Sequence, residues 1–152
     1  MAKQKQPRIR LVKSTIGPGE LPGDQPKQLA AKPDKPDKRR SGAEAEAIAA
    51  KLLIDQGYRI VERNFTADLG ELDIVAREGD ILVFVEVRSR ANRDHGDAVE
   101  MVTRKKQRQV ARMATLYLEL RQPEYERTRF DVVGITGDEA DLIRDAFRLG
   151  RY

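Results

Sequence analysis

Residues 70–88 read GELDIVAREGDILVFVEVR, and this stretch decides the fold. The residues EGD at 78–80 are a turn signal between two largely apolar runs. They predict adjacent antiparallel strands at 71–77 and 81–88. The second run is almost continuously apolar, as is typical of a central strand covered on both faces. This pair of strands is therefore expected to form the middle of a buried sheet.

Two acids stand inside this pair of strands, where the pattern calls for core residues. Strict side-chain alternation divides the strands into faces: Glu71, Asp73 and Val75 opposite Leu72, Ile74 and Ala76, and Leu82, Phe84, Glu86 and Arg88 opposite Ile81, Val83, Val85 and Val87. Asp73 and Glu86 are then close together, and buried carboxylates repel unless a cation lies between them. Two explanations stay open. Either Arg88, two residues along from Glu86, neutralises one acid while the second reaches solvent, or the acids bind a hard cation such as Mg²⁺ or Mn²⁺.

The flanking sequence predicts the remaining elements. They are a helix at 43–56 between Ser41 as N-cap and Gly57 as C-cap, a strand at 58–65, a long helix at 97–121 and a strand at 130–135. The apolar stripe of the long helix contains Val99, Val102, Val110, Met113, Tyr117 and Leu120. Residues 140–147 fit either a short strand or a helix. The order helix, three strands, helix, strand predicts an α/β fold, a mixed sheet flanked by helices.

Composition excludes several classes of site. The chain has 152 residues, about one domain, and it contains no cysteine, so thiolate metal sites and disulfides are excluded. His95 is its only histidine, which rules out a multi-histidine site, and its place between Asp94 and Gly96 suggests an ordinary loop residue. No apolar run approaches the ~18 residues of a membrane span. We therefore expect a soluble, cytoplasmic protein with no membrane partner.

Charge divides the chain into a tail and a body. Residues 1–40 carry eleven basic and four acidic residues and six of the seven prolines. This composition predicts a disordered basic tail, which either contacts nucleic acid phosphates or only solubilises the chain. Residues 41–152 carry 18 basic and 21 acidic residues and are expected to form the folded domain.

Three further features surround the paired acids. Glu46 leans on the apolar face of the first helix, although a glutamate at the solvent edge has the same pattern. Lys106 interrupts the apolar stripe of the long helix, where a lysine can also pack its stem and carry its ammonium to water. Eight basic residues and only three acids lie between Arg88 and Arg112. This cluster suits a phosphate-rich ligand, or it is simply a solvated surface.

At this point the sequence resembles a known family. Gly70-Glu71-Leu72-Asp73-Ile74-Val75 and Phe84-Val85-Glu86-Val87-Arg88 resemble the core of the PD-(D/E)XK nuclease superfamily. From Gly42 to about Phe147 the chain is similar to the bacterial YraN family of endonuclease-like proteins, which resemble archaeal Holliday-junction resolvases. The other matching blocks are Gly42 with Ala45-Glu46, Arg63-Asn64, Val102-Thr103 with Lys106-Gln107, Arg129-Phe130-Asp131-Val132-Val133, and Ala146-Phe147.

The resemblance implies a restriction-endonuclease-like fold and a role for each matching residue. Asp73 and Glu86 match the metal-binding acids, Glu46 matches a helix glutamate that completes the metal site, and the implied cofactor is Mg²⁺ or Mn²⁺. Arg88 occupies the place of the superfamily's catalytic lysine. Arginine is often found at this position in the YraN branch. Arginine cannot act as a base, but it can hold a phosphate. Lys106 would supply an ammonium from the next helix.

The resemblance also implies a partner, DNA rather than RNA. The residues expected to contact nucleic acid are Arg88, Arg90, Arg104, Lys105, Lys106 and Arg108. The main hypothesis is a metal-dependent endonuclease in which Asp73, Glu86, Arg88 and Lys106 act in catalysis, and an enzyme that cuts junctions is expected to be a homodimer. The alternative is a nucleic-acid-binding protein on a nuclease fold with little or no turnover. A third hypothesis is a protein-interaction module whose tail recruits partners.

Overall fold

The computed structural model describes residues 41–92, 94, 96, 100 and 102–148, together with the backbone of residues 8–12. In chain order the elements are β1 (Arg8–Val12), α1 (Gly42–Asp55), β2 (Arg59–Ala67), β3 (Gly70–Glu78), β4 (Ile81–Arg90), α2 (Arg104–Arg121), β5 (Arg127–Thr136) and β6 (Glu139–Ile143). None of the described helices is long and apolar enough to cross a membrane.

The strands form one mixed six-stranded sheet in the order β1-β6-β5-β4-β3-β2. Antiparallel pairing joins β2, β3 and β4, whereas β4 and β5 are parallel because α2 makes the crossover between them. The predicted α/β class with a restriction-endonuclease-like mixed sheet is thus confirmed. The stretch at 140–147, which sequence left open, begins with strand β6.

Each helix covers one face of the sheet. Side chains of α1, including Ala49 and Leu53, pack against Ile74, Val85 and Val133 on one face. On the other face, Val110, Met113 and Tyr117 of α2 pack with apolar residues that include Leu82, Phe84 and Val132. The predicted stripe of α2 holds for these three residues, but Leu120 is 60% exposed. The core therefore consists of two layers, one on each side of β3, β4 and β5.

Local sequence determines where both helices begin. The Ser41 side chain accepts a hydrogen bond from the Glu44 N–H, and Glu44 bonds back to the Ser41 N–H, which makes a capping box. Helix α2 begins at Arg104, so the predicted start at residue 97 is wrong. Thr103 is its N-cap, and its hydroxyl accepts from the Lys106 N–H at 3.3 Å. Residues 97–99 lie outside the described residues.

Strand β1 lies within the stretch that the sequence predicted to be disordered. It pairs in parallel with β6, from Arg8 opposite Glu139 to Val12 opposite Ile143. The expectation is therefore wrong for these five residues, because the apolar positions in RIRLV allow a strand that the surrounding composition obscured. The rest of residues 1–40 lies outside the described residues.

A buried ionic network ties β5 to the rest of the fold. Asp131 is fully buried, and its carboxylate accepts hydrogen bonds from Arg129, from the Tyr58 hydroxyl at 2.8 Å and from the Asp145 N–H at 2.9 Å. Arg129 also pairs with Glu78 at 2.7 Å. Each oxygen of the buried carboxylate is satisfied, which is the condition under which a charge is tolerated in a core.

Candidate active site

Strands β3 and β4 separate at the two acids. Their ladder ends at Ile74 opposite Val85, one step before Asp73 would face Glu86. Beyond that point the Val87 N–H donates to Oδ2 of Asp73 at 2.8 Å. The carboxylate of Asp73 thus provides the acceptor that a continuing ladder would have supplied.

The separation also interrupts the side-chain alternation of β3. Leu72 packs in the α2-side core, whereas Ile74 and Ala76 pack in the α1-side core. The prediction that these three residues share a face is wrong at Leu72. Strict alternation requires a regular strand, and the strand is not regular where the Asp73 side chain enters the hydrogen-bonding between strands. On β4 the alternation holds, since Leu82 and Phe84 face α2.

The separated strands open a cleft of about 490 Å³ between the first turns of the two helices. Its charged lining residues are four acids and two bases: Glu46, Glu71, Asp73, Glu86, Arg88 and Lys106. The predicted catalytic and metal-binding residues therefore line one cleft. With every group ionised, their net charge is −2, which favours a bound cation.

Three carboxylates in this cleft are close enough to share one ion. Glu46, Glu71 and Asp73 each offer an oxygen, and these oxygens lie within 4.8 Å of one another. Glu46 comes from α1 and is also 3.9 Å from Nη2 of Arg63. Glu71 was not assigned to the site from sequence, although the alternation of β3 placed it beside Asp73. Glu86 lies outside this group of three.

Glu86 is the most buried acid of the cleft, at 2% exposure. Its Oε1 forms ion pairs with Nη2 of Arg88 at 2.9 Å and with Nζ of Lys106 at 3.2 Å. Its Oε2 is buried and makes no hydrogen bond with any described residue. The ion pair that sequence considered for Arg88 is therefore present, but Lys106 shares it.

Lys106 reaches Glu86 because of how α2 begins. Thr103 caps the helix through the backbone N–H of Lys106, which places this lysine in the first turn, next to the end of β4. Its side chain is only 22% exposed. The alternative in which Lys106 carries its ammonium to water is thus wrong.

Burial raises the pKa values of both central acids, and at Asp73 repulsion by Glu86 adds to the increase. Burial raises the pKa of Asp73 to about 7, and the negative charge of Glu86 adds to the increase. Burial also raises the pKa of Glu86, against the opposing effect of Lys106 and Arg88. Carboxylates with raised pKa values beside uncompensated charge gain stability from a bound cation.

The predicted nucleic-acid-binding residues divide into two groups. Arg88 and Lys106 line the cleft, where both are bound to Glu86. Arg90 is half-buried at the end of β4, and the remaining three residues, Arg104, Lys105 and Arg108, are exposed on the first two turns of α2. Arg93 of the basic cluster and His95 lie outside the described residues.

Sequence comparisons assign the chain to a family. The model of "Uncharacterised protein family UPF0102" matches residues 45–135. A UPF0102 protein of Lachnoclostridium phytofermentans is 46% identical over 111 residues, which cover 72% of this chain and 94% of that protein. A UPF0102 protein of Moorella thermoacetica is 43% identical over 106 residues, or 70% of this chain and 88% of that protein.

The residues matched by the family model run from within α1 to within β5 and include every charged residue of the cleft. UPF0102 is the YraN family, so the resemblance drawn from the motifs is confirmed. The chain belongs to the UPF0102 family.

Proposed function

We propose that this protein is a metal-dependent endonuclease that hydrolyses phosphodiester bonds in DNA. The observation that carries the proposal is the composition of the cleft. Three carboxylates with oxygens within 4.8 Å of one another share it with the Glu86–Arg88–Lys106 cluster. Hydrolysis of a phosphodiester bond requires positive charge next to the phosphate. A cation held by the carboxylates and the fixed basic side chains together supply that charge, and they offset the negative charge of the phosphate and of the acids.

The residues of the cleft fit a hard divalent cation. Glu46, Glu71 and Asp73 would hold it through carboxylate oxygens, the ligands that Mg²⁺ and Mn²⁺ prefer. The buried Oε2 of Glu86, which has no described partner, offers a further acceptor nearby. When bound, the cation would polarise the phosphoryl group and lower the pKa of a water molecule.

Lys106 and Arg88 supply the positive charge that belongs to the protein itself. Both are anchored through Glu86, so their donors stay inside the cleft. The guanidinium of Arg88 remains charged at any accessible pH and cannot remove a proton from water. We infer that it holds a phosphate oxygen and that the ammonium of Lys106 stabilises charge that develops during hydrolysis.

The surface beside the cleft supplies contacts for the rest of the strand. Arg104, Lys105 and Arg108 are exposed on the first two turns of α2, which also carries Lys106. Basic residues on one helix follow a phosphate backbone and bind it without regard to sequence. We infer that these residues hold DNA while the scissile phosphate enters the cleft.

A cleavage assay tests the proposal. The full chain is incubated with duplex, single-stranded and four-way-junction DNA in Mg²⁺, Mn²⁺ or chelator. We expect cleavage in metal alone, and a loss of at least about 100-fold in Asp73→Asn and Glu71→Gln, because each removes a ligand charge. Glu119→Gln is the matched control, since Glu119 is exposed on α2 outside the cleft. Metal-independent cleavage, or equal activity in all variants, would contradict the proposal.

A second candidate function has one observation in its favour. Glu86 is already neutralised by Arg88 and Lys106, so the protein compensates one of its two central acids without a metal. Such a cleft would suit a nucleic-acid-binding protein with little or no turnover. DNA binding that is independent of Mn²⁺, together with no cleavage of any of the three substrates, would favour this alternative.

A further inference from the structure

A second cleft, of about 560 Å³, lies at the opposite end of β5 and is unused by the proposed hydrolysis. Among the described residues, its lining carries four arginines, Arg127, Arg129, Arg144 and Arg148, and one acid, Asp145. The walls come from the first residues of β5 and from the segment that follows β6. We name it the arginine cleft.

The arginine cleft is separate from the cleft that contains Glu86. In the parallel pairing of β4 with β5, Arg127 lies opposite Ile81 and Val132 lies opposite Glu86. The two levels are five residues apart along the sheet, or about 16 Å at the rise of a strand. A phosphate held at Arg127 therefore lies well away from the level of Glu86, although Phe130 in the same lining is only two residues from Val132.

Two of its arginines are part of the fold. Arg129 is bound by Asp131 and Glu78 and is 15% exposed. Arg144 pairs with Glu78 at 3.1 Å, and its guanidinium lies 5.4 Å from the centre of the Tyr58 ring. These contacts neutralise both side chains and hold them in the wall.

The other two arginines are available to a ligand. Arg127 is exposed, and its side chain makes no hydrogen bond or ion pair with a described residue. Arg148 is 83% exposed and pairs with Asp145, a surface contact that contributes little to stability. The Arg148 hydrogen bond lowers the pKa of Asp145, and the charge of Arg127 lowers it further, so both arginines act on one small region.

An aromatic wall completes the cleft. Phe130 and Phe147 stack with ring centres 5.0 Å apart, and both line the cleft. The segment after β6 is fixed against β5, because the Ala146 N–H donates to the Phe130 carbonyl at 2.8 Å and the Asp145 N–H donates to Asp131. The wall is therefore preorganised rather than formed on binding.

We propose that the arginine cleft binds a nucleotide, with its phosphate between Arg127 and Arg148 and its base against the edges of Phe130 and Phe147. Guanidinium groups recognise phosphate oxygens in pairs. Phe130 is stacked between Phe84 and Phe147, so the rings offer a nucleobase their edges, the geometry of a T-shaped aromatic contact. The hydroxyl of Thr128, which also lines the cleft, adds a donor. The nucleotide is either free in solution or the terminal unit of a nucleic acid strand.

The test measures binding to the full chain in chelator, so that hydrolysis cannot contribute. The ligands are inorganic phosphate, adenosine 5′-monophosphate and a 5′-phosphorylated oligonucleotide. Calorimetry and amide chemical shifts measure their binding. We expect the monophosphate to bind at least about tenfold tighter than inorganic phosphate and to shift the amides of Arg127, Thr128 and Arg148. Arg127→Gln and Arg148→Gln should each weaken it by about tenfold. Arg59→Gln, an exposed residue outside both clefts, should leave it unchanged.

The oligonucleotide distinguishes the two sources of the nucleotide. If the oligonucleotide binds more tightly than the monophosphate, and Arg127→Gln weakens its binding, the natural ligand is a strand end. If the two bind equally, the natural ligand is a free nucleotide. Either result supports the proposal. Equal affinity of the parent and the Arg127→Gln/Arg148→Gln double variant for the monophosphate would overturn it. So would equal affinity for inorganic phosphate and monophosphate. Unchanged melting temperatures of the variants confirm that the exposed substitutions leave the fold intact.

Discussion

The carboxylate of Asp73 accepts a hydrogen bond from the backbone N–H of Val87 at 2.8 Å, at the point where strands β3 and β4 separate. One side chain therefore serves two purposes. Its Oδ2 satisfies a strand N–H that would otherwise lack an acceptor, and the same carboxylate lines the cleft beside Glu46 and Glu71. The hydrogen bond that Asp73 makes to β4 and the charge that it places in the cleft therefore depend on the same side chain.

In the absence of metal, Asp73→Asn should be more stable than the parent, and this difference should grow as the pH rises. The pKa of Asp73 is raised to about 7, so between about pH 4 and pH 7 the folded state holds a proton that the unfolded state has released. The free energy of unfolding of the parent therefore decreases as the pH rises from about 4 to about 7. Asparagine does not titrate, and its amide oxygen can still accept from Val87.

Urea unfolding at pH 4.5, 6 and 7.5 in chelator measures this effect. The stability difference between Asp73→Asn and the parent should grow with pH, while Asp80→Asn, at an exposed turn position, should show no such trend. A difference that is constant with pH would mean that Asp73 titrates normally. Added Mn²⁺ should stabilise the parent and not the variant.

Lys106→Met should destabilise the metal-free protein by about 1–3 kcal/mol, because the buried Glu86 loses one of its two cations. The cost should shrink at low pH, where the raised pKa of Glu86 lets this acid take up a proton. Thermal unfolding at pH 5 and pH 8 measures both effects. Lys105→Met, the neighbouring exposed position, is the control and should cost almost nothing.

Arg88→Ala should lose most of the cleavage activity, whereas Arg88→Lys should retain or increase it, because a lysine can also hold a phosphate oxygen or a water molecule. Since Lys106 still pairs with Glu86, the loss of stability in Arg88→Ala should be about 1–3 kcal/mol, as for Lys106→Met. Adding Lys106→Met should cost more than the sum of the two single changes. Full activity and stability in Arg88→Ala would make Arg88 a bystander.

Tyr58→Phe should lower the free energy of unfolding by about 1.5–3 kcal/mol, because Asp131 loses a buried hydrogen bond while the ring under Arg144 is retained. Arg129→Met should cost more, about 3–5 kcal/mol, since it leaves the fully buried Asp131 without its counter-ion. Chemical denaturation of both variants checks the order. The reverse order would show that the hydroxyl, not the guanidinium, compensates Asp131.

Removal of residues 1–40 should lower the melting temperature, because β6 loses its partner β1 and becomes an edge strand. The same truncation removes a net charge of +7, so DNA binding should weaken and depend less on salt. An unchanged melting temperature would show that β1 adds nothing to stability. A control truncation that retains Arg8–Val12 shows whether a change in melting temperature comes from the loss of strand β1 or from the loss of the rest of the tail.

Much of this fold could be predicted from local sequence. The apolar run at 81–88 and the EGD turn determined that β3 and β4 are adjacent and antiparallel, and Ser41 and Gly57 marked the ends of α1 because caps and turns depend on neighbouring residues alone. The same stretch indicated the family, which the comparisons confirmed. The DNA partner, the Mg²⁺ or Mn²⁺ cofactor and the homodimer remain predictions.

Tertiary structure decided the rest, because it depends on residues far apart in the chain. No sequence period shows that Lys106 rather than solvent faces Glu86, or that Glu71 joins Glu46 and Asp73, since these contacts depend on how two helices dock on one sheet. Strict alternation failed at Leu72, where a side chain replaces a backbone acceptor. Strand β1 was missed for the same physical reason, because its pairing with β6 joins segments more than 120 residues apart.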